Sequence, residues 1–296
     1  DVMNNWEGNP AYANEYQMCR ILKAYMFQNM TDLYGDVPYS EAGQGYSTNP
    51  IPYPKYDTQE AIYNDLLKEL DEAQAALSTS AGNTIGAADV IYNGDAAKWK
   101  KFANSLMLRV AMRLTKVAPD KAKTWVAKAV SNGLFVSNDD NAIDRHTNGS
   151  PSDDSAEPYG KVFSSLDTQA FYISETFINI LQDDPRLPLI ATVCTRDPKP
   201  GWGDADFDLG DNTAAKQKGM PVGYDVSGGD WDLSKAPGYP GENWRKAYSV
   251  PNRTVYARPD SPSMLVTHAG NLLLLADAVK RGLSTGDAEK FSRDGV

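Results

Sequence analysis

The sequence predicts a mainly α-helical fold, with helix pairs stacked into a right-handed α-α superhelix that carries a long, irregular, loop-rich insertion. Three observations predict it. Apolar residues recur at steps of three and four along the first two-fifths of the 296-residue chain. Helical period nearly vanishes between residues 196 and 262, where Gly, Pro and Asp dominate. Near Ser263 it returns and runs to the end of the chain.

The first helix is expected from Tyr12 to Leu33, with Tyr12, Tyr16, Cys19, Leu22, Met26, Met30 and Leu33 on its inward face. Gly35 and Pro38 stop it, and a Gly-, Pro- and Tyr-rich loop follows to Lys55. Asp57 with Glu60 three positions on reads as a capping box. The helix it opens buries Ile62, Leu66, Leu70, Ala73 and Leu77. Asp95 is the expected cap of a third helix, with Trp99, Phe102, Leu106, Val110 and Leu114 inward and Pro119 at its end. A fourth runs from Asp120 to Asn132, carries Ala122, Trp125, Val126 and Ala129, and closes at Gly133 in a left-handed cap.

Residues 137 to 157 are polar and predict an exposed loop. A fifth helix is expected from about Asp167 to Gln182, ending at Asp183-Asp184-Pro185. From Ser263 helical order runs to about Arg281, turns through Gly282 to Gly286, and starts again. Paired helices with short turns resemble tetratricopeptide hairpins, at irregular spacing, because the first two helices stand too far apart for a strict repeat of about 34 residues. The expectation is one domain over 1–296, cut at both ends. Residues 1–135 would be the helical scaffold, 196–262 an irregular ligand-binding region, and 263–296 a returning helix pair. A loop-rich stretch as long as 196–262 inside a compact domain tends to be functional.

Charge narrows the partners. The formal net charge is -10, spread along the chain. Such a field repels nucleic acid and anionic membrane surfaces but does not penalise a neutral sugar. No apolar run is long enough to span a bilayer, and the most apolar, Leu272 to Ala276, falls far short. The start of the chain has no basic n-region or signal-peptide core. Two cysteines, Cys19 and Cys194, make no disulfide framework and leave the compartment open, with Cys19 read as a small buried hydrophobe.

The candidate chemistry lies among the aromatics. Trp202, Phe207, Tyr224, Trp231, Tyr239, Trp244, Tyr248 and Tyr256 fall between Gly201 and Tyr256, so three of the six tryptophans stand in one loop-rich stretch. A tryptophan in a helix is usually core, and Trp99 and Trp125 read so. One set among Gly and Pro has fewer packing partners, and its flat face can stack on a pyranose. Asp225, Asp230, Asp232, Asn243 and Arg245 stand close enough in sequence to bond sugar hydroxyls. The expected ligand-binding set is Trp202, Tyr224, Asp225, Asp230, Trp231, Tyr239, Asn243, Trp244 and Arg245. The competing reading is that these rings pin a long loop to the core.

Other chemistries find little support. Asp204, Asp206, Asp208 and Asp211 suggest a calcium loop, but Leu209 stands where an EF-hand needs Gly and Ala215 where it needs Glu. A solvated acidic loop is the better reading. His146 and His268 lie far apart in sequence, with no cysteine–histidine cluster around either. No nucleophile elbow or Walker loop occurs, and Gly201-Trp-Gly203 and Gly43-Gln-Gly45 are turn fragments. The reading therefore assigns no catalytic residue, metal or cofactor.

One segment carries a resemblance. Met30-Thr-Asp-Leu-Tyr-Gly-Asp-Val-Pro-Tyr-Ser-Glu-Ala42 resembles the SusD/RagB signature, in which a long helix ends in a Tyr-Gly-Asp-Val-Pro-Tyr turn. Gly35 can take a positive φ there, Asp36 can bond backbone donors, and Pro38 forces Val37 to extend. Further matches follow in order, at Asp57 to Leu77, Gly94 to Arg113, Asp184-Pro-Arg-Leu-Pro188, Gly219-Met-Pro-Val-Gly-Tyr224 and Leu272 to Phe291. The chain is shorter than such proteins usually are, and it lacks their anchoring N-terminal cysteine and C-terminal part.

The resemblance implies a lipid-anchored protein on the outer face of the outer membrane of Bacteroidetes. It would cap a SusC-type TonB-dependent transporter and deliver oligosaccharide, or peptide, to it without catalysis. Its helices would face the transporter and its irregular part the ligand. Two other classes stay open on the residues alone. A glycoside hydrolase needs two carboxylates at a set separation, and among 39 acidic residues no spacing singles out a pair. A helical protein-binding scaffold would bury Trp202, Trp231 and Trp244 against the core.

Overall fold

The computed structural model describes residues 2–46, 49–81, 85–146, 158, 171–195, 210–252, 254–255, 258 and 260–296. The chain divides into two compact units, Asp1–Ile143 with Met264–Val296, and Asp144–Ser263. The first is helical. Its elements are α1 (Val2–Trp6), α2 (Ala13–Tyr34), α3 (Gln59–Ala76), α4 (Ala96–Arg113), α5 (Pro119–Asn132), and, after the second unit, α9 (His268–Lys280) and α10 (Ala288–Asp294). Tetratricopeptide-like pairing is evident in the packing: α2 lies on α3, α3 on α4, α4 on α5, then α9 on α4 and α10 on α9. Strand β1 (Ala142–Asp144) pairs with β4 (Ser263–Val266) where the chain leaves and rejoins this unit.

The core follows the apolar stripes of α3 and α4. Ile62, Leu66, Leu70, Ala73 and Leu77 are buried, as are Trp99, Phe102, Leu106, Val110 and Leu114. Each large side chain withdrawn from water contributes roughly 1.5–3 kcal/mol. Between α2 and α3, Arg20 donates from Nε to Glu69 Oε2 at 2.8 Å and from Nη2 to Glu69 Oε1 at 2.9 Å and Glu72 Oε2 at 2.7 Å. This fork holds the Glu69 carboxyl below its usual range despite partial burial.

Several local expectations need correction. Helix α2 buries Met18, Ile21 and Ala24 together with polar Asn14, Gln28 and Thr31, which is not the predicted face. Its Met26, Met30 and Leu33 are exposed, Leu33 at 76%. Burial of Asn14 and Thr31 is compensated, whereas Gln28 Oε1 is buried without a partner: Asn14 exchanges two 2.8 Å hydrogen bonds with the Ser78 backbone, and Thr31 Oγ1 donates to Gly35 O at 2.6 Å. Cys19, on the flank of that helix, is half-buried rather than a core residue.

Asp57 does not cap α3. Thr58 Oγ1 accepts from Ala61 N at 3.3 Å, and Asp36 Oδ1 accepts from Gln59 N at 2.8 Å. Asp57 instead accepts from Ser40 N at 2.7 Å and Tyr39 N at 3.2 Å, while its backbone pairs with Val37. Gly35 has φ 74° and its N–H reaches Thr31 O, so the turn after α2 ends the helix as its sequence suggests. Pro119 opens α5 at its first turn, where a missing N–H costs nothing, instead of closing α4. Trp125 is half-buried, with Lys128 Nζ 5.2 Å from its ring centre. Residues 142–144 and 263–266 are strands where a loop and a helix were expected.

Within the second unit the regular elements are α6 (Glu175–Ile180), α7 (Leu187–Ile190), β2 (Ala191–Val193), α8 (Trp244–Ala247) and β3 (Ser249–Pro251). Strands β2 and β3 are antiparallel, with Thr192 opposite Val250. The expected helix 167–182 is shorter: Ser174 caps it by accepting from Phe177 N, and 167–170 lie outside the described residues. Among the described residues no helix is long and apolar enough to cross a membrane.

Candidate functional site

The second unit builds its aromatic group from loop backbone rather than from long helices. Gly219 starts the sequence. A Cβ there would lie 2.2 Å from Glu175 Cα, so only glycine fits against the start of α6. Met220 N then donates to Ile173 O at 2.8 Å and Glu175 N to Met220 O at 2.9 Å, which fixes the turn leading to Tyr224.

Residues 225–233 form a loop closed by its own hydrogen bonds. Asp225 N donates to Trp231 O at 2.9 Å and Leu233 N to Asp225 O at 2.6 Å. Asp225 Oδ1 accepts from Ser227 N, and Asp232 Oδ2 from Gly228 N, both at 2.9 Å. Gly228 and Gly229 both take φ 85°, which a side chain would strain. Leu233 anchors the loop in a small core with Ala236 and Tyr248, against which Tyr172, Met220, Tyr224, Tyr239 and Trp244 pack.

At the loop tip Trp231 is 67% exposed. Tyr224 stands 6.2 Å away at 64° and supports the indole from its edge. Asp225 and Asp230 are exposed beside it in sequence, and Lys235 Nζ comes within 3.7 Å of Asp230 Oδ1. The arrangement offers one open aromatic face flanked by acceptors and a cation.

The other expected site residues are placed differently. Trp244 is half-buried, with Tyr172 at 5.5 Å on one side and the Arg245 guanidinium 4.7 Å over its ring. Arg245 therefore covers a face that a sugar would need, while its own Nε is buried without an acceptor. Tyr239 is half-buried in the small core, and Asn243 is exposed at the start of α8. Tyr248 is fully buried, with Lys218 Nζ 5.4 Å from its ring centre, and burial pushes its hydroxyl above the ordinary tyrosine range. Trp202, Phe207, Tyr256 and Asp204 to Asp208 lie outside the described residues.

Two features of the aromatic group were not legible in the sequence. The spacing predicts a helix through Tyr172, yet Ile173 N bonds Ser249 O at 2.8 Å and carries Tyr172 into the group. Lys218 reaches the group because Ser249 N donates to its carbonyl at 2.7 Å. No spacing announces either contact, since both depend on pairing across residues distant in sequence. Asp211, expected in an acidic loop, accepts from Lys216 Nζ at 2.5 Å and Thr213 N at 2.9 Å, and these bonds hold its carboxyl far below the usual range. Among the described residues no cluster of three or more His, Cys, Asp or Glu could hold a metal ion.

Comparison with known proteins places this geometry in context. A family described as "Starch-binding associating with outer membrane", SusD-like, matches residues 1–296. A solved chitin-binding protein is 32% identical and superposes with a TM-score of 0.77, covering 100% of this chain and 58% of its own length. A SusD-like protein of Bacteroidetes AC2a is 26% identical with a TM-score of 0.77, over 100% of this chain and 62% of its own. A chitin-binding SusD homologue from Flavobacterium johnsoniae is 26% identical with a TM-score of 0.73, over 98% of this chain and 53% of its own. The chain thus spans little more than half the length of these structures. No curated protein is significantly similar to it.

Proposed function

The chain belongs to the SusD-like family, and from that premise we propose that it captures oligosaccharide at the cell surface and passes it to a SusC-type TonB-dependent transporter. It acts at the extracellular face of the outer membrane, held by a lipid anchor, as one domain over residues 1–296. Residues 1–135 and 263–296 serve as helical scaffold and 196–262 as the ligand-binding region. The exposed Met26, Met30, Leu33 and Tyr34 of α2 give the scaffold an apolar surface suited to the transporter. The protein binds and releases its ligand without cleaving it.

The exposed face of Trp231, held on a closed loop and supported by Tyr224, carries this reading. A loop backbone closed by its own hydrogen bonds before the ligand arrives costs little ordering on binding. An aromatic contact adds about 1 kcal/mol and a net hydrogen bond about as much, so a few of each give roughly millimolar to micromolar affinity. In this reading Asp225, Asp230 and Asn243 supply acceptors and donors to the ligand, and Tyr224, Tyr239, Trp244 and Arg245 complete the binding set. Trp202 belongs to the same set on its sequence context. Two relatives are named as chitin-binding, so oligomers of N-acetylglucosamine are the first ligands to test.

Isothermal titration with chitin, starch and mannan oligosaccharides tests the assignment. Trp231→Ala should weaken binding of the active oligosaccharide about tenfold, while Trp244→Ala should weaken it less. Unchanged affinity in Trp231→Ala removes the platform. Incubation with the same oligosaccharides should release no shorter products, and turnover lost with a single carboxylate change would replace binding by hydrolysis.

A further inference from the structure

A second site stands in the helical unit, apart from the aromatic residues above. A cleft of about 560 Å³ opens between the C-terminal half of α4 and the segment running from β4 into α9. Its apolar wall is Met112, Met264, Val266 and Leu274, and its polar groups include Arg109 and Asn271. Gly270, in the first turn of α9, also lines it and adds no side chain of its own.

One buried side chain there lacks its hydrogen-bond partners, and one cation lacks a counter-ion. Asn271 is 1% exposed, and both its Nδ2 and its Oδ1 are buried without a hydrogen bond. Such an amide is destabilising, so natural interiors rarely keep one without a reason. Arg109 is only partly buried and forms no ion pair among the described residues. Its guanidinium lies 6.0 Å from the Tyr25 ring centre and makes two long hydrogen bonds to neutral acceptors, Nη1 to Leu265 O at 3.3 Å and Nη2 to Asn29 Oδ1 at 3.4 Å. Nearby charges are already engaged: Arg113 pairs with Asp32 at 2.9 Å and Asp277 with Arg281 at 2.8 Å. The cleft therefore holds one cation without a counter-ion beside an unmatched donor and acceptor.

We propose that this cleft binds a small organic carboxylate that carries a neighbouring hydroxyl, the pattern of a uronic acid. The guanidinium of Arg109 takes the carboxylate, since a planar fork matches two oxygens. Asn271 turns its amide toward the ligand, with Nδ2 donating to a ligand oxygen and Oδ1 accepting from the hydroxyl. The apolar wall of Met112, Met264 and Leu274 covers the carbon face of the ring.

Titration of the intact chain with D-glucuronate, its methyl ester, glucose and acetate tests the proposal. Glucuronate should bind saturably in roughly the millimolar range expected of one charged contact and a few hydrogen bonds. The ester and glucose should bind at least tenfold more weakly, and acetate should compete. Asn271→Leu should abolish glucuronate binding while raising Tm, because it removes an unmatched amide. Gly270→Glu places a carboxylate of the chain itself within the cleft, its Cβ 3.1 Å from the Thr267 hydroxyl that caps α9, and it should block glucuronate, with circular dichroism checking that the helices are kept. Trp231→Ala should leave glucuronate affinity unchanged, which separates this site from the aromatic platform. Equal binding of glucose and glucuronate, or full glucuronate affinity in both Asn271→Leu and Gly270→Glu, would overturn the proposal.

Discussion

Asp89 shows how much one residue can organise, and why its role escapes a reading of the sequence. Its Oδ1 accepts from Ile91 N at 3.0 Å and Tyr92 N at 3.2 Å, and its Oδ2 from Gly94 N at 2.8 Å and Trp99 Nε1 at 2.7 Å. All four donors converge on a carboxylate buried at the entrance to α4. Asp95 was legible as the cap of the same helix, because its bonds to Ala97 N and Lys98 N are local. Asp89 was not, since its longest reach is to a tryptophan ten residues away. Only a carboxylate can accept on both sides. An amide turned either way points its NH₂ at two donors, so Asp89→Asn should be nearly as harmful as Asp89→Ala. Either change should cost about 2–4 kcal/mol of stability. Urea denaturation followed at the tryptophan band checks it, and an Asp89→Asn midpoint equal to wild type would mean that the charge is not needed there.

Among the elements, α2 separates what periodicity shows from what it hides. Steps of three and four marked the helix and its end at Gly35, and α2 spans Ala13–Tyr34. They chose the wrong face, because the buried side holds Asn14, Gln28 and Thr31, whose polarity looks external until their partners are known. Ser78 for Asn14 and the Gly35 carbonyl for Thr31 make those two residues fit for burial, and only the first of these partners is distant in sequence. In α3 and α4 the predicted apolar stripes are the ones buried, and there the pattern and the packing agree, although α4 also buries Asn104 and Ser105 beside its stripe. The site behaves like α2. Its aromatic composition was visible, but the division into an open Trp231 and a covered Trp244 depends on where Arg245 and Tyr172 fall. Substitution distinguishes the faces of α2 directly. Ile21→Ala, at a fully buried position, should cost about 2–5 kcal/mol, whereas Leu33→Ala should stay within about 0.5 kcal/mol. Equal losses in chemical denaturation would mean that Leu33 is packed in the isolated chain.

At the scale of the whole molecule, the helical unit is built from two separated stretches, Asp1–Ile143 and Met264–Val296. The sequence announced the return of helical order but not the strand pair at the junction, since three or four residues are too few to show a period of two. That pair brings the ends of the two stretches side by side, β1 from the first and β4 leading into the second. Contacts within the helical unit continue across the gap in sequence: α9 packs on α4, Arg109 Nη1 bonds Leu265 O, and His268 N donates to Asn141 Oδ1 at 2.6 Å. Its core also draws on both stretches, with Val266 and Ala278 buried alongside the stripes of α3 and α4. A unit with its own core should fold without the excursion that interrupts it. Replacing residues 144–263 by a short Gly-Ser linker should therefore leave a helical protein with a single cooperative thermal transition by circular dichroism. That protein should keep glucuronate binding and lose oligosaccharide binding, because the cleft residues remain and Trp231 is gone. A chain that stays unfolded after this replacement would show that the helical unit takes its stability from residues 144–263, and that its core alone does not offset the entropy of ordering it.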